Sequence, residues 1–519
     1  MRTVIFGVDG LSFRLLHPLI KRGDLPNFAR LQREGAEAEL MSTVPPVTPP
    51  AWMSRATGLK PAKHGVYDFW EYDTSAPRLS SRLVTSRKGG KAIWNILSEY
   101  GKRVIVMNVP VTYPPETVNG IMVSGLMTPG SSAAFTYPHS FKDELFKVVP
   151  DYRIDLSLEK STLEYVMSEV LKMTERRIQL QEHLLSQHEW DFAFLCYVGP
   201  DRIQHKVWDE IMTFSPESTS YYRMLDDALG RVMNRLKPED ALFLASDHGF
   251  IGAKKWFYIN EYLCRRNLLY RGSSTAQSKA RLMGIGRDVA QKMHLMGLVR
   301  QTRRAYQQFG QKTPVEKKKG RPFFEDLTWD RTRACTISTT AFGGGCADIF
   351  MAPDATWEEM EELRQLLENE RHPETGESLA EAAYATDIYG VGPFRPPEEH
   401  IILIPKRGLT FHLGLGRKDL WEPFAESKGV HEQEGVFYAW GAGIQKGVRL
   451  DPLKIYDLVP TALHTMGVSA DEPFDGRVAQ EIFVNQQTTE KGEGAGESLV
   501  ARKLKRLQGE RAAAQKESR

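Results

Sequence analysis

Four short polar clusters stand at the ends of apolar runs in this chain. Asp9 closes "VIFGVDG", Asp201 and His205 lie in "GPDRIQH", Asp247 and His248 in "LASDHGF", and His431 in "GVHEQEGVF". Carboxylates and imidazoles are metal ligands, and a mixed oxygen and nitrogen set suits Zn²⁺ or Mn²⁺ better than Ca²⁺ or Mg²⁺. If the segment after Asp201 is helical, the i, i+4 step puts Asp201 and His205 on one face. Asp247 and His248 are adjacent, so the backbone must turn to aim both at one place, and Gly249 permits the turn. Six such ligands exceed what one tetrahedral ion takes and match two ions that share a nucleophile or a water. Taken singly, each cluster has an ordinary explanation as a turn, a strand exit or a helix-surface contact. Their joint occurrence after successive buried strands argues for a metal centre.

A nucleophile is offered by "TVPPVTPPAWMSRATGLKPAKHGVYDF", residues 43–69. Thr48 precedes Pro49 and Pro50, which suit the first turn of a helix, and Thr is a good N-cap. Thr48 is therefore expected at a helix N-terminus, where positive partial charge favours an alkoxide or a phosphate. Ser54 would lie within that helix, where a hydroxyl tends to bond the backbone. Thr48 is the better candidate, although its local setting alone is equally that of a simple cap.

These residues need a scaffold that brings distant strand ends together. The runs 3–9, 37–43, 103–109, 120–125, 191–198 and 241–247 read as strands, most of them apolar throughout. Helical spacing appears over Asn27–Glu34, Ala92–Tyr100, Leu163–Gln187 and Tyr221–Leu236. The alternation predicts an α/β fold with a mostly parallel central sheet and helices on both faces. In such sheets, sites form beyond the carboxyl ends of the strands. Further strands are expected at 334–339, 347–352, 400–405 and 435–441, with a helix over Ile455–Met466.

Composition bounds the rest. A chain of 519 residues suggests two to four structural units, and a net charge of +2 gives no global argument for nucleic-acid binding. The scattered Cys196, Cys264, Cys335 and Cys346 fit reduced thiols. The start "MRTVIFGVDG" reads as a strand rather than a signal peptide, and no window is long and apolar enough for a transmembrane helix, so a cytoplasmic protein is expected. Residues 265–321 differ from their surroundings, with 15 Lys and Arg against Asp288 and Glu316. Leu282, Ile285, Val289, Met293, Met296 and Val299 recur there at helical steps. This is either an inserted helical hairpin with a solvated cationic face or a lid that meets a membrane surface or an anionic substrate. The expected division is a discontinuous core, 1–264 and 330–485, a basic insert at 265–329, and a polar tail at 486–519.

Together, "VDG", "PPVTPPAWMSRATGLKPAKHGV", "DRIQH", "SDHGF" and "GVHEQEGVF" resemble the alkaline phosphatase superfamily, most closely its type I phosphodiesterase/nucleotide pyrophosphatase-related branch. The hallmark Thr-x-Pro and Thr-Gly-x-x-Pro-x-x-His-Gly segments are Thr48–Pro50 and Thr57–Gly65 here. The resemblance implies an alkaline-phosphatase-like three-layer sandwich with an inserted cap and a two-metal phosphoester hydrolase. It implies Thr48 as nucleophile, forming a covalent phosphothreonine. Asp9, Asp247 and His248, with Thr48, would hold one zinc, and Asp201, His205 and His431 the other. His64 would be structural, fixing the loop behind Thr48. One departure concerns substrate binding: the related pyrophosphatases place a phosphoryl-binding asparagine where this chain has Phe69. The backbone N–H of Thr48 is an alternative donor, since Pro49 has none. A nucleotide or a lipid-headgroup ester is thus an open choice of substrate. Phosphoryl or headgroup transfer by the mutase branch is the alternative activity, although that branch uses serine. A binding scaffold without activity is disfavoured because every expected ligand is present.

Overall fold

The run Thr3–Val8 forms a strand with every residue buried, as expected of an apolar segment covered on both faces. It is the centre of a ten-stranded sheet in a computed structural model that describes residues 1–73, 80–156, 158, 162–270, 328, 331–336, 345–394, 400–424 and 428–484. Thr3–Val8 pairs in parallel with Phe192–Tyr197 on one side and Ala241–Ser246 on the other. Val104–Met107 and Gly120–Val123 continue the parallel order beyond Phe192–Tyr197. The edges are mixed: Glu434–Gly441 runs antiparallel to both Ala241–Ser246 and Ala36–Met41, and Thr136–Tyr137 runs antiparallel to Gly120–Val123.

Alternation along the strands explains the layers. Ala193, Leu195 and Tyr197 face a large apolar cluster with Val4, Phe6 and Val8. That cluster takes in the helices Phe13–Lys21, Pro26–Glu34, Leu163–Gln187 and Pro216–Arg235. Phe194 points to the opposite face, against Trp52 of helix Thr48–Thr57 and Trp94 of helix Ile93–Glu99. Helices therefore cover both faces, the three-layer α/β arrangement predicted from sequence.

The described residues between 334 and 412 do not extend this sheet. Ala334–Thr336, Ala347–Met351, His400–Pro405 and Ala380–Tyr384 form a separate antiparallel sheet. With helix Trp357–Glu368 it builds its own apolar core around Ile349, Leu363, Leu367 and Leu403. The chain returns to the central sheet through Glu434–Gly441 and then helix Leu458–Thr465. Met1–Ile482 forms one unit, and Phe483–Arg519 is a second in which only Phe483 and Val484 are described. The amphipathic pattern over 282–299 and the polar tail at 486–519 lie outside the described residues. No helix among the described residues is long and apolar enough to cross a membrane, and none of the four cysteines is in a disulfide.

Candidate metal centre and active-site cleft

Strand register brings the clusters together. Val8 stands opposite Tyr197 and Ser246, so Asp9, the turn leading to Asp201, and Asp247 all leave the sheet at one edge. Asp9 N–H donates to Tyr197 O, and Asp201 N–H to Asp9 O at 3.2 Å. Gly10 has φ +72° and gives its N–H to Asp247 Oδ1 at 3.0 Å. A Cβ there would come within 2.5 Å of the Phe250 ring, so the turn requires glycine. After Asp247 the chain enters Gly249–Gly252, which pairs antiparallel with Gly429–Glu432 and sets Phe250 opposite His431. That small ladder delivers His431, the cluster residue most distant in sequence. Asp201 lies in the first turn of helix Gly199–Gln204, with His205 one turn later at its end.

The side chains converge tightly. His431 Nε2 is 3.1 Å from Asp201 Oδ1, and His205 Nε2 is 3.2 Å from the same oxygen. His248 Nε2 lies 3.2 Å from Asp247 Oδ2 and 3.5 Å from Asp9 Oδ1. The His248 and His431 rings stack 3.6 Å apart, which joins the two groups. Sets of mutually close ligand atoms are Asp9, Asp247 and His248, and Asp201, His248 and His431.

The tautomers follow from the backbone. His205 Nδ1 is 3.1 Å from Gly429 O, His248 Nδ1 3.2 Å from Gly249 O, and His431 Nδ1 2.7 Å from Pro46 O. A carbonyl only accepts, so each Nδ1 carries a proton and each ring turns its Nε2 inward, the nitrogen left to bind a cation. His205 and His431 Nε2 are 2.8 Å apart, close enough to share one proton or to flank one cation. Asp9 is fully buried, and neither of its carboxylate oxygens has a hydrogen-bond partner; Asp247 Oδ2 is also unpartnered. Buried charge without partners is costly. The donor set therefore fits a pair of divalent ions in its chemistry, tautomers and unsatisfied oxygens.

The electrostatics agree. Burial, reinforced by Asp247 and Asp201, pushes the Asp9 carboxyl well above its usual range. Burial pushes Asp247 up to about 7 against the opposing charge of Arg55. Burial holds His248 far below the ordinary imidazole range and His431 below it. Burial opposes the Asp201 charge as well, but His205, His431 and Arg202 more than offset this and hold it well below the usual range.

Thr48 is the first residue of helix Thr48–Thr57, and Val47 rather than Thr48 is the cap. The Thr48 hydroxyl is instead 3.5 Å from His248 Nε2, beside the carboxylate and imidazole cluster. Ser54 does not bond the backbone as its helical position suggests: Ser54 Oγ meets His64 Nε2 at 3.0 Å. Val66 N–H donates to His64 Nδ1, so Nε2 is the protonated nitrogen and Ser54 accepts. Burial, helped by Arg87, lowers His64 to about 3 and keeps it neutral. This pair braces the helix behind Thr48.

Two arginines were not anticipated. Arg55 is fully buried beneath the site, lies 3.4 Å over the Trp52 ring and donates to Ala245 O. Burial lowers it to about 10, opposed by Asp247 and Asp9. Arg202 holds Asp201 Oδ2 at 2.6 Å and grips Asp155 through Nε and Nη2 at 3.1 and 3.0 Å. A cleft of about 870 Å³ opens over Thr48, Asp201, His205 and His431. Its walls include Phe69, Trp70, Leu126 and Met127, with Arg202 and Lys206 among the polar lining. Phe69 thus contributes an apolar surface to the site and no side-chain donor.

The sequence profile of the type I phosphodiesterase / nucleotide pyrophosphatase family matches residues 3–412. Human ectonucleotide pyrophosphatase/phosphodiesterase family member 1 is 25% identical over 283 residues, which covers 50% of this chain and 25% of the human protein. The chain thus spans about a quarter of the length of the curated relative it matches. Among solved structures, murine ectonucleotide pyrophosphatase/phosphodiesterase 5, as an inactive variant in complex with AMP, aligns with a TM-score of 0.54 at 14% identity. That alignment covers 93% of this chain and 100% of the murine one. The human counterpart aligns over the same shares with a TM-score of 0.53 at 14% identity. These likenesses establish an alkaline-phosphatase-like fold. The profile match over most of the length shows that the chain belongs to the type I phosphodiesterase / nucleotide pyrophosphatase family.

Proposed function

We propose that this protein is a metal-dependent phosphodiesterase that attacks phosphorus with Thr48 and passes through a covalent phosphothreonine. The observation that carries the reading is the convergence of three imidazole Nε2 atoms and unpartnered buried carboxylate oxygens beside one hydroxyl. Asp9, Asp247, His248 and Thr48 would hold one divalent ion, and Asp201, His205 and His431 a second, with Zn²⁺ first and Mn²⁺ as the alternative. Such ions supply Lewis acidity and neutralise charge on the attacking and leaving oxygens.

The chain's own residues do the positioning. Thr48 Oγ sits at a helix N-terminus whose partial positive charge favours the alkoxide and the incoming phosphoryl group. The Thr48 backbone N–H takes the place of the side-chain donor that Phe69 lacks. In the first displacement the Thr48 O–P bond forms and the ester P–O bond breaks, and the leaving oxygen departs into the cleft. In the second, water replaces Thr48 at phosphorus. The apolar walls, with cations at the floor, suit a diester bearing an aromatic or apolar substituent. A structural relative binds AMP, so nucleotide esters are the first class to test and lipid-headgroup esters the second. A cytoplasmic setting belongs to the same proposal.

The test compares hydrolysis of a bis-aryl phosphate, an aryl phosphate and a nucleotide ester by metal-replete protein. Thr48→Ala is expected to lower kcat by at least about 10³-fold on the preferred diester, with metal content retained. Thr48→Ala at near wild-type rate would overturn the nucleophile assignment.

A further inference from the structure

A second convergence of ligating side chains lies at the other end of the sheet. Glu144 stands in the first turn of helix Phe141–Val148, His183 near the end of helix Leu163–Gln187, and His188 just after it. His183 Nε2 is 2.6 Å and His188 Nε2 2.8 Å from the same oxygen, Glu144 Oε1. The two rings are 5.5 Å apart and inclined at 77°, so they approach that oxygen from different directions. His188 is held edge-on against Phe141 at 5.7 Å. One atom from each residue lies within 4.8 Å of the other two. Glu144 and His188 line a cleft of about 760 Å³ that is bordered by Val104 and Gly120. Those two residues begin their strands, whereas Asp9, Asp201 and Asp247 follow strand ends. The two clusters are therefore on opposite edges of the parallel sheet.

We propose that Glu144, His183 and His188 form a further divalent-metal site, distinct from the catalytic cleft, that pins helix Phe141–Val148 to the end of helix Leu163–Gln187. Two imidazole nitrogens and one carboxylate oxygen are a borderline donor set, suited to Zn²⁺ and other late first-row ions and not to Mg²⁺ or Ca²⁺. Without an ion, both rings donate Nε2–H to one carboxylate oxygen. Moving or losing each Nε2 proton frees both lone pairs for an ion. Donors about 2.0–2.2 Å from an ion must stand somewhat further apart than the present hydrogen bonds. Glu144 has the room, since its side chain is 41% exposed. Water from the cleft that Glu144 and His188 line would complete the shell.

The inference is independent of the reaction proposed above, and its test reads metal content rather than turnover. Full-length protein is stripped with a chelator, equilibrated with Zn²⁺, desalted and analysed by atomic emission. Wild type is expected to retain one equivalent more than His183→Ala/His188→Ala, whatever the cleft itself retains. Hydrolysis by the double variant is expected to be unchanged. Glu144→Gln keeps the side chain's shape and removes its charge, so it reports even if the double variant folds poorly. It should bind the additional Zn²⁺ at least about tenfold more weakly by calorimetric titration. Equal zinc content in wild type and the double variant, or undiminished affinity in Glu144→Gln, would overturn the site.

Discussion

Asp201 illustrates how a single proposed ligand is prepared by its neighbours. Its Oδ1 faces His205 and His431, while Oδ2 is engaged by Arg202, which is itself anchored on Asp155. The guanidinium therefore fixes which carboxylate oxygen is presented, and it partly balances the buried charge. Outer partners of this kind commonly alter metal affinity or activity by about 10–100-fold. Arg202→Met should lower kcat in that range and reduce metal content, because Asp155 and Asp201 are then left facing each other unpaired. Arg202→Lys keeps the charge without the fork and should recover part of the loss. Metal analysis alongside steady-state kinetics checks both. Full metal content and unchanged kcat in Arg202→Met would show that Asp201 needs no such brace.

At the scale of elements, the loop that supports the nucleophile helix is tied down by one carboxylate. Glu116 accepts from Arg87 Nη2 at 2.9 Å, Asn95 Nδ2 at 2.7 Å and Trp94 Nε1 at 3.2 Å, which joins the loop before helix Ile93–Glu99 to the turn before Gly120–Val123. Burial opposes its charge, but Arg87 and the amide and indole donors outweigh burial and lower its pKa. A carboxyl depressed in the folded state stabilises above the unfolded value of about 4.3, and the contribution is lost as pH falls through the folded value. Glu116→Gln should thus cost about 1–3 kcal/mol at pH 7, and its deficit should shrink below about pH 4. Thermal midpoints of both proteins across that range test this, and a constant deficit would exclude the charge as its source. Such ties also mark where sequence reading stops. The strands ending in Asp9 and Asp247 were legible because apolar runs stop at a carboxylate, and the Asp201–His205 step because helical spacing is local. The Arg202–Asp155 and Arg87–Glu116 pairs carry no local signature, since their partners meet only through the fold. Arg55 within "AWMSRAT" offered a weak signal, a charge amid apolar helix residues. Helix Phe13–Lys21 is hidden by Pro18. The strands at 347–351 and 400–405 were readable, but pairing into a second sheet is decided by nonlocal register.

Across the whole molecule, the end of the sheet that carries the proposed active site concentrates negative charge at the bottom of its core. Asp9, Asp201 and Asp247 are buried together, and buried Arg55 and half-buried Arg202 are cations set against them. Only Asp201 has a pKa held below the usual range, so the other two carboxylates work against folding until cations reach them. Divalent ions that bind only the folded chain stabilise it by mass action, by about 4 kcal/mol at a thousandfold excess over Kd. Chelation should therefore lower the thermal midpoint, and restoring Zn²⁺ or Mn²⁺ should raise it again. Asp9→Asn separates this effect from general tightening by metal. In stripped protein the variant should melt at or above wild type, because one buried negative charge is gone and the side chain keeps its shape. In metal-replete protein it should melt below wild type, because a ligand is lost. The order of the two midpoints is thus expected to reverse on adding metal. A variant that melts below wild type in both states would mean that Asp9 is held by contacts within the folded chain rather than by an ion, and would remove the first metal position from the proposed pair.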